Sequence, residues 1–395
     1  MRLTKSPLFL VLILWLAGLG AAMQFAKLAV PFETLRQIYP QAEIGFLISV
    51  ISLLGIFLGL FAGLMVARIG FRRMLIAGLV LGALISFFQA SLPQFSIMLV
   101  SRVLEGASHL MIVVAAPTLI AQISSDNYRP QAMTLWSTFF GVAFAIVAFA
   151  GLPAVEQYGL PALFVAHGVF LAGVASILFF ALAPLPQTQA APMDLTFAHI
   201  VREHVKAYSS PRISAPAFGW LFYTLTFVSL LAVLPDLLAS ENRSFAAQYM
   251  PLMSIAASLF CGIILLRFMS AISVVILGFA LGLIVVQFLW FDTYIVWVCV
   301  ALIGVLGLVQ SASFAAIPQL NFDARTQALS NGAMAQMGNL GNTIGTPILL
   351  ALVSGYGVTG AIWGVSLCYA CAIVVHMAMK WRRGKNVEAN VADGD

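Results

Sequence analysis

Arg102, Glu105 and His109 follow one another at i, i+3 and i+7, a spacing that puts three ionisable side chains on one stripe of a helix. The stretch that carries them, Phe95 to Ile123, is predominantly apolar. An ionisable group there is costly and normally faces a protein interior or a wet cavity. Burial raises a carboxyl pKa and a neighbouring arginine lowers it. An anion that captures Arg102 would therefore free Glu105 to hold a proton, and His109 can extend a proton path. The same spacing also suits a permanent Arg102–Glu105 pair that braces one helix against its neighbours, with His109 as a packing residue. Both readings stay open at this level.

Other polar groups lie in apolar stretches. Gln24 and Lys27 sit late in the first, and at 1.5 Å per residue Lys27 is about 28 Å from Leu8. That is close to the far interface, where a lysine reaches water by snorkelling, so substrate contact and snorkelling are rival expectations. His167 lies at a depth similar to Arg102. Lys27 and Arg102 against Glu105 leave the embedded charge of the first half positive by one, which favours an anionic substrate. The second half offers Tyr223, Gln310, Gln336, Asn339 and Asn342. Amides donate and accept, which suits orienting a carboxylate or hydroxylated solute and equally suits bridging helices. The substrate-binding candidates are thus Arg102, Lys27, Gln24, His167, Tyr223, Gln336 and Asn339, and the proton-coupling candidates are Glu105 and His109. No nucleophile or metal-ligand set accompanies them, so catalytic, metal and cofactor roles are not expected.

The elements that position these residues are membrane spans. Of 395 residues 62% are hydrophobic and only 8% charged, with a mean hydropathy of +1.03, whereas soluble chains carry about 25% charged residues. At about 20 residues per crossing, the chain accommodates roughly twelve. Arg2, Lys5, Arg68, Arg72, Arg73, Arg129, Arg202, Lys206, Arg212, Arg267, Arg325, Lys380, Arg382, Arg383 and Lys385 all fall on one side of that arrangement, and Arg36 and Arg243 on the other. Lysine and arginine accumulate on the cytoplasmic side, which places both termini there and makes the number of spans even. The net charge of +5 is scattered over these turns without an aromatic platform. It speaks for anionic lipid headgroups rather than nucleic acid. The apolar run from Leu8 to Ala22 reads as an uncleaved first helix, and the four cysteines as buried thiols.

The one long polar stretch divides the chain. We read 1–183 as a six-helix bundle, 184–212 as a cytoplasmic linker with an amphipathic helix, 213–380 as a second six-helix bundle and 381–395 as a tail. The halves echo one another. Asp126-Asn-Tyr-Arg129-Pro-Gln131-Ala132 and Asp323-Ala-Arg325-Thr-Gln327-Ala328 open the fifth and eleventh spans, and Tyr158-Gly159 and Tyr356-Gly357 close them. Duplicated halves are a common way to build a secondary transporter.

Gly63-Leu-Met-Val-Ala67-Arg68-Ile-Gly70-Phe-Arg72-Arg73 resembles the signature loop of the major facilitator superfamily, Gly-x-x-x-Asp-Arg-x-Gly-Arg-Arg. Ala67 takes the place of the usual aspartate, which leaves the charge relay of that loop incomplete. Arg102-Val-Leu-Glu105-Gly106 is similar to a second signature, Arg-x-x-Gln-Gly, with glutamate replacing glutamine. A third, the Gly-Pro-rich fifth span of antiporters, is weak here. The resemblance implies an all-α integral membrane protein of about 12 transmembrane helices in two pseudo-symmetric six-helix bundles. It also implies alternating access, function as a monomer, and a conformational role for Gly63, Arg68, Gly70, Arg72 and Arg73.

No Walker loop, Gly-x-Ser-x-Gly elbow or metal-spaced His/Cys cluster occurs in the sequence, which argues against ATP-driven transport within this chain and against the common enzyme classes. The expected function is proton-coupled secondary transport of a small, anionic organic solute across an inner (plasma) membrane. The partners are the solute, the proton and the lipid bilayer. Proton-driven efflux of amphipathic compounds is the runner-up, favoured by 30 phenylalanines and 15 methionines that suit an adaptable apolar cavity. A carrier-derived sensor or scaffold without flux is the alternative from another class.

Overall fold

The structure, a computed structural model, describes residues 6–40, 45–182, 196–291 and 295–392. Arg2 and Lys5, the linker up to Leu195 and the side chains from Lys385 onward lie outside the described residues, as does the side chain of Ala67. The chain packs as two units, Met1–Thr196 and Phe197–Asp395.

In the first unit, Ser6 caps the N-terminus of α1 (Pro7–Ala29) by accepting from Phe9 N at 3.3 Å, which satisfies a backbone donor that the helix itself cannot pair. The short α2 (Phe32–Ile38) and α3 (Gly45–Ser49) lead into α4 (Ile51–Ile69) and α5 (Phe71–Gln89). Between α4 and α5, Gly70 adopts φ +93 and ψ 147, a conformation essentially reserved for glycine. The 29 residues of α6 (Phe95–Ile123) follow. The fifth crossing, Arg129–Tyr158, is assembled from α7 (Arg129–Ser137), α8 (Phe139–Ile146), a π turn at Val147–Gly151 and α9 (Leu152–Tyr158). The π turn ends two residues before Pro153, whose missing N–H breaks the regular ladder. Helix α10 (Leu160–Ala181) completes the unit.

The second unit begins with α11 (Phe197–Ser209), followed by α12 (Ser214–Val233), α13 (Ser240–Ala256), a π turn, α14 (Ile263–Phe268), α15 (Ala271–Gln287), α16 (Ile295–Leu320) and α17 (Ala324–Ala392). Among the described residues, eleven segments are long and apolar enough to cross a membrane. The last of them has 61 residues, Ala324–Gly384, about 90 Å of helix against a hydrocarbon layer of about 30 Å. Gly357, at φ 58 and ψ −143, interrupts it. The chain folds back there so closely that a Cβ on Gly360 would lie 2.1 Å from the Leu352 carbonyl oxygen. Counted on either side of this break, the described residues hold twelve such segments. Gly159 and Gly357, which close the echoed fifth and eleventh spans, both have positive φ.

Each unit has its own apolar core. Phe164, Leu28, Leu35 and Leu47 anchor the first, and Phe279, Tyr369, Leu302 and Leu306 the second. Large apolar side chains such as Phe57, Phe149, Phe180, Phe260, Phe268 and Leu367 point outward, as a lipid-facing surface requires. In the second unit small residues let helices touch, since a Cβ on Gly345 would fall 2.2 Å from the Leu225 carbonyl oxygen on α12.

Candidate functional site

Four helices of the first unit bring their polar residues to one buried point. From α6 come Arg102 and Glu105, from α1 Gln24 and Lys27, from α5 Ser86 and Gln89, and from α10 His167. Lys27, Arg102 and Glu105 have no solvent exposure at all.

The centre is the Glu105 carboxylate. Its Oε1 accepts from Lys27 Nζ at 2.6 Å, and its Oε2 accepts from Arg102 Nη1 and from Gln89 Nε2 at 3.0 Å. These acceptor contacts on both oxygens are the geometry of an ionised carboxylate. Lys27 also donates to Ser86 Oγ at 3.0 Å and lies 3.3 Å from His167 Nδ1, so its three N–H groups all have partners. His167 Nε2 is 2.9 Å from the Gly20 carbonyl oxygen. That oxygen only accepts, so Nε2 carries a proton, and in the neutral ring Nδ1 is the acceptor that faces Lys27. The Lys27 ammonium also sits 5.1 Å from the centre of the Phe164 ring, within cation–π range.

Arg102 is held by more than its acid. Its Nε donates to the Leu47 carbonyl at 2.8 Å and its Nη1 to the Gln24 carbonyl at 2.7 Å. Its Nη2 is buried without a partner, as are Oε1 of Gln24 and of Gln89. With His167 neutral, the cluster carries two cations and one anion.

Lys27 therefore does not snorkel to an interface. The count along α1 gave its depth, but packing turned it inward against α5, α6 and α10. Gln24 contributes its carbonyl to Arg102 and its amide Nε2 to Ser108 Oγ at 2.8 Å. His109 stands apart: its Nδ1 is 3.1 Å from the Ala21 carbonyl oxygen, and its ring meets Phe25 edge-on at 5.0 Å. Ser86 and Gln89 were not among the candidates from sequence. Their signal was present, since two polar residues at i, i+3 near the end of an otherwise apolar span share a face.

The candidates in the second unit are dispersed. Tyr223 donates to Gln310 Oε1 at 3.0 Å and is stacked between Trp220 and Phe227. Gln336 accepts from Tyr208 at 2.7 Å, whereas Asn339 turns to the Ala335 carbonyl of its own helix at 2.7 Å. His376, fully buried with both ring nitrogens unpartnered, is an embedded histidine that the sequence reading passed over. No group of three or more His, Cys, Asp or Glu able to hold a metal ion occurs among the described residues.

In the loop between α4 and α5, Gly63 is buried within α4 while Arg68 and Arg73 are exposed. Arg72 donates from Nε to the Leu182 carbonyl at 2.8 Å and from Nη2 to the Phe179 carbonyl at 2.9 Å, closing the C-terminal end of α10. In the second unit, Glu203 of α11 accepts from Lys206 and from Arg325, each at 3.0 Å. Burial alone would raise the Glu203 pKa, but the hydrogen bond from Lys206 and the charges of Lys206 and Arg325 outweigh it and hold the carboxyl below its ordinary value.

The comparisons agree with this architecture. A family model described as Major Facilitator Superfamily matches residues 10–346. The chain is 23% identical over 209 residues to "Inner membrane transport protein YajR" of Escherichia coli (strain K12), a match covering 50% of this chain and 45% of that protein. The chain thus spans less than half the length of that relative. Among solved structures it is similar to the transporter FucP in the outward conformation, with a TM-score of 0.76, 12% identity and coverage of 95% of this chain and 99% of that one. It is also similar to the human organic anion transporter MFSD10 (TETRAN), with a TM-score of 0.76, 15% identity and coverage of 94% and 100%. For the proton:xylose symporter XylE the TM-score is 0.74, with 13% identity and coverage of 96% of each chain.

Proposed function

This chain belongs to the major facilitator superfamily, and from that premise we propose that it is a proton-coupled carrier of a small organic anion, working by alternating access in an inner (plasma) membrane. It is a multi-pass membrane transporter, not an enzyme. The observation that carries the proposal is the Glu105 carboxylate held between Lys27 and Arg102 in a fully buried cluster with one excess positive charge.

A carboxylate in this position accepts a proton only when its cations are engaged elsewhere. Lys27 has a second set of partners in Ser86 and His167, so it stays hydrogen-bonded if Glu105 becomes neutral. Arg102 has the unpartnered Nη2, to which an anionic group can bind, and release of Glu105 from Nη1 completes the fork that arginine favours. Substrate anion and Glu105 then compete for the same cations, and a proton on Glu105 favours the anion. The net charge of the cluster supports an anionic rather than a neutral solute, because an anion offsets a charge that is costly to bury. Proton symport by XylE and organic-anion transport by MFSD10 are properties of those proteins, and they make the reading an ordinary one for the fold. The basic turns support cytoplasmic termini, and reporters fused to both ends are expected to signal inside the cell.

The test begins with a thermal-shift screen of organic anions against purified protein at two pH values, with Arg102→Ala as the control that should lose the hit. The hit is then followed into proteoliposomes with and without a pH gradient. Uptake driven by an inward proton gradient is expected. Flux indifferent to the gradient would remove the coupling, and a hit unaffected in Arg102→Ala would move the site elsewhere.

A further inference from the structure

Between α5 and α10 the first unit carries an apolar groove of about 410 Å³, with Ala83, Ala172 and Ala175 among its small residues and Val80, Leu84, Phe87 and Phe179 among its large ones. It opens outward: Leu84 is 61% exposed and the adjoining Phe180 80%. From Ile76 to Phe87 it runs about 16 Å along α5, close to the thickness of one hydrocarbon leaflet. Lipid is the medium such a face meets, so apolar burial alone gives no selectivity, since acyl chains are as apolar as leucine.

Selectivity comes from the end of the groove. Arg72 lies one helical turn before Ile76, and its guanidinium sits 4.8 Å from the centre of the Phe179 ring while donating to the Phe179 and Leu182 carbonyls. These contacts fix the side chain and use two of its five N–H groups. Exposed Arg73 follows directly and exposed Arg68 precedes, and the sequence from Gly45 to Gln89 contains no Asp or Glu. A leaflet-long apolar channel that ends at a pinned guanidinium in an exclusively basic stretch matches one class of molecule.

We propose that this groove binds an anionic glycerophospholipid, with one acyl chain lying between α5 and α10 and the phosphate on Arg72 and Arg73. The aromatic and aliphatic walls accommodate a chain, and the arginines select for the phosphate together with a net negative headgroup.

The test is native mass spectrometry of the full-length protein, released from micelles doped with equal amounts of phosphatidylglycerol and phosphatidylcholine. Retention of phosphatidylglycerol over phosphatidylcholine by about tenfold is expected from two arginines near the phosphate. Ser176→Trp, which fills the groove from its exposed side, should abolish that retention, and Arg73→Gln should reduce the preference. Ile177→Trp, on a neighbouring face of the same helix, should leave both intact. Arg72→Gln gives the strongest loss, and if that variant does not fold, Ser176→Trp still decides. Equal retention of the two lipids overturns the proposal, as does wild-type retention in Ser176→Trp. A lipid-free dimer that Ser176→Trp dissociates would assign the groove to a second copy of the chain instead.

Discussion

Lys27 and Glu105, 78 residues apart in sequence, meet at 2.6 Å with neither side chain exposed. This contact joins α1 to α6 and turns the neighbouring Arg102–Glu105 pair into a carboxylate shared by two cations.

The first consequence is an asymmetry in stability. Lys27→Met leaves Arg102 and Glu105 paired and the cluster neutral, whereas Glu105→Gln leaves two buried cations without an anion. Removing one partner of a buried pair costs about 3–5 kcal/mol, and Glu105→Gln should fall at the upper end with Lys27→Met well below it. Thermal unfolding of both variants in one detergent checks the order, and Lys27→Met/Glu105→Gln should recover part of the loss.

Transport should separate coupling from binding. Glu105→Gln imitates a protonated carboxyl that cannot release its proton. It is expected to abolish accumulation driven by a pH gradient while retaining exchange of labelled for unlabelled substrate across proteoliposomes. Full accumulation in Glu105→Gln would exclude Glu105 as the coupling group.

Arg102→Lys should not substitute. A lysine ammonium carries its three donors on one nitrogen and lacks the planar fork that here reaches the Leu47 and Gln24 carbonyls as well as Glu105. Uptake is expected to fall at least about tenfold, equivalent to about 1.4 kcal/mol, measured as initial rate at constant protein density.

The α11 contact gives a pH dependence of known sign. Glu203 has its pKa lowered in the folded protein, so its contribution is present above the ordinary carboxylate pKa of about 4.3 and is lost as pH falls toward the lower folded value. With Lys206 and Arg325 partly exposed, each bond contributes no more than about 1 kcal/mol. The melting temperature of wild type should exceed that of Glu203→Gln at neutral pH, and the two should converge in acid.

Gly70 isolates backbone conformation from packing. Nothing lies within 4 Å of a Cβ built there, and the same holds for the helical Gly173, but only Gly70 has positive φ. Gly70→Ala should therefore cost about 1–3 kcal/mol while Gly173→Ala is neutral or stabilising. Equal melting temperatures for the two variants would contradict this.

The spans were legible because hydropathy and the positions of basic residues are local properties. The turn glycines were legible for the same reason: Gly70, Gly159 and Gly357 stand at ends of apolar runs, where the chain must reverse. Arg102 and Glu105 were visible as a pair because a separation of three residues fixes neighbours on any helix. The Lys27 contact was not visible, since depth along α1 says nothing about the direction in which the side chain points. Nor could the sequence separate Gln336 from Asn339. They share a helical face, yet Gln336 meets Tyr208 from α11 and Asn339 its own backbone.

By itself, then, the sequence determined an all-α membrane protein of about twelve crossings, its reversals at glycine and its embedded pair on α6. Each of these follows from residues within a few positions of one another. The tertiary structure decided that Lys27, Ser86, Gln89 and His167 close around Glu105, because the rotation of each helix about its own axis is set by packing against neighbours distant in the chain. A rotation of about 100° either way, one residue's step around the helix, would have turned the same lysine out of the cluster.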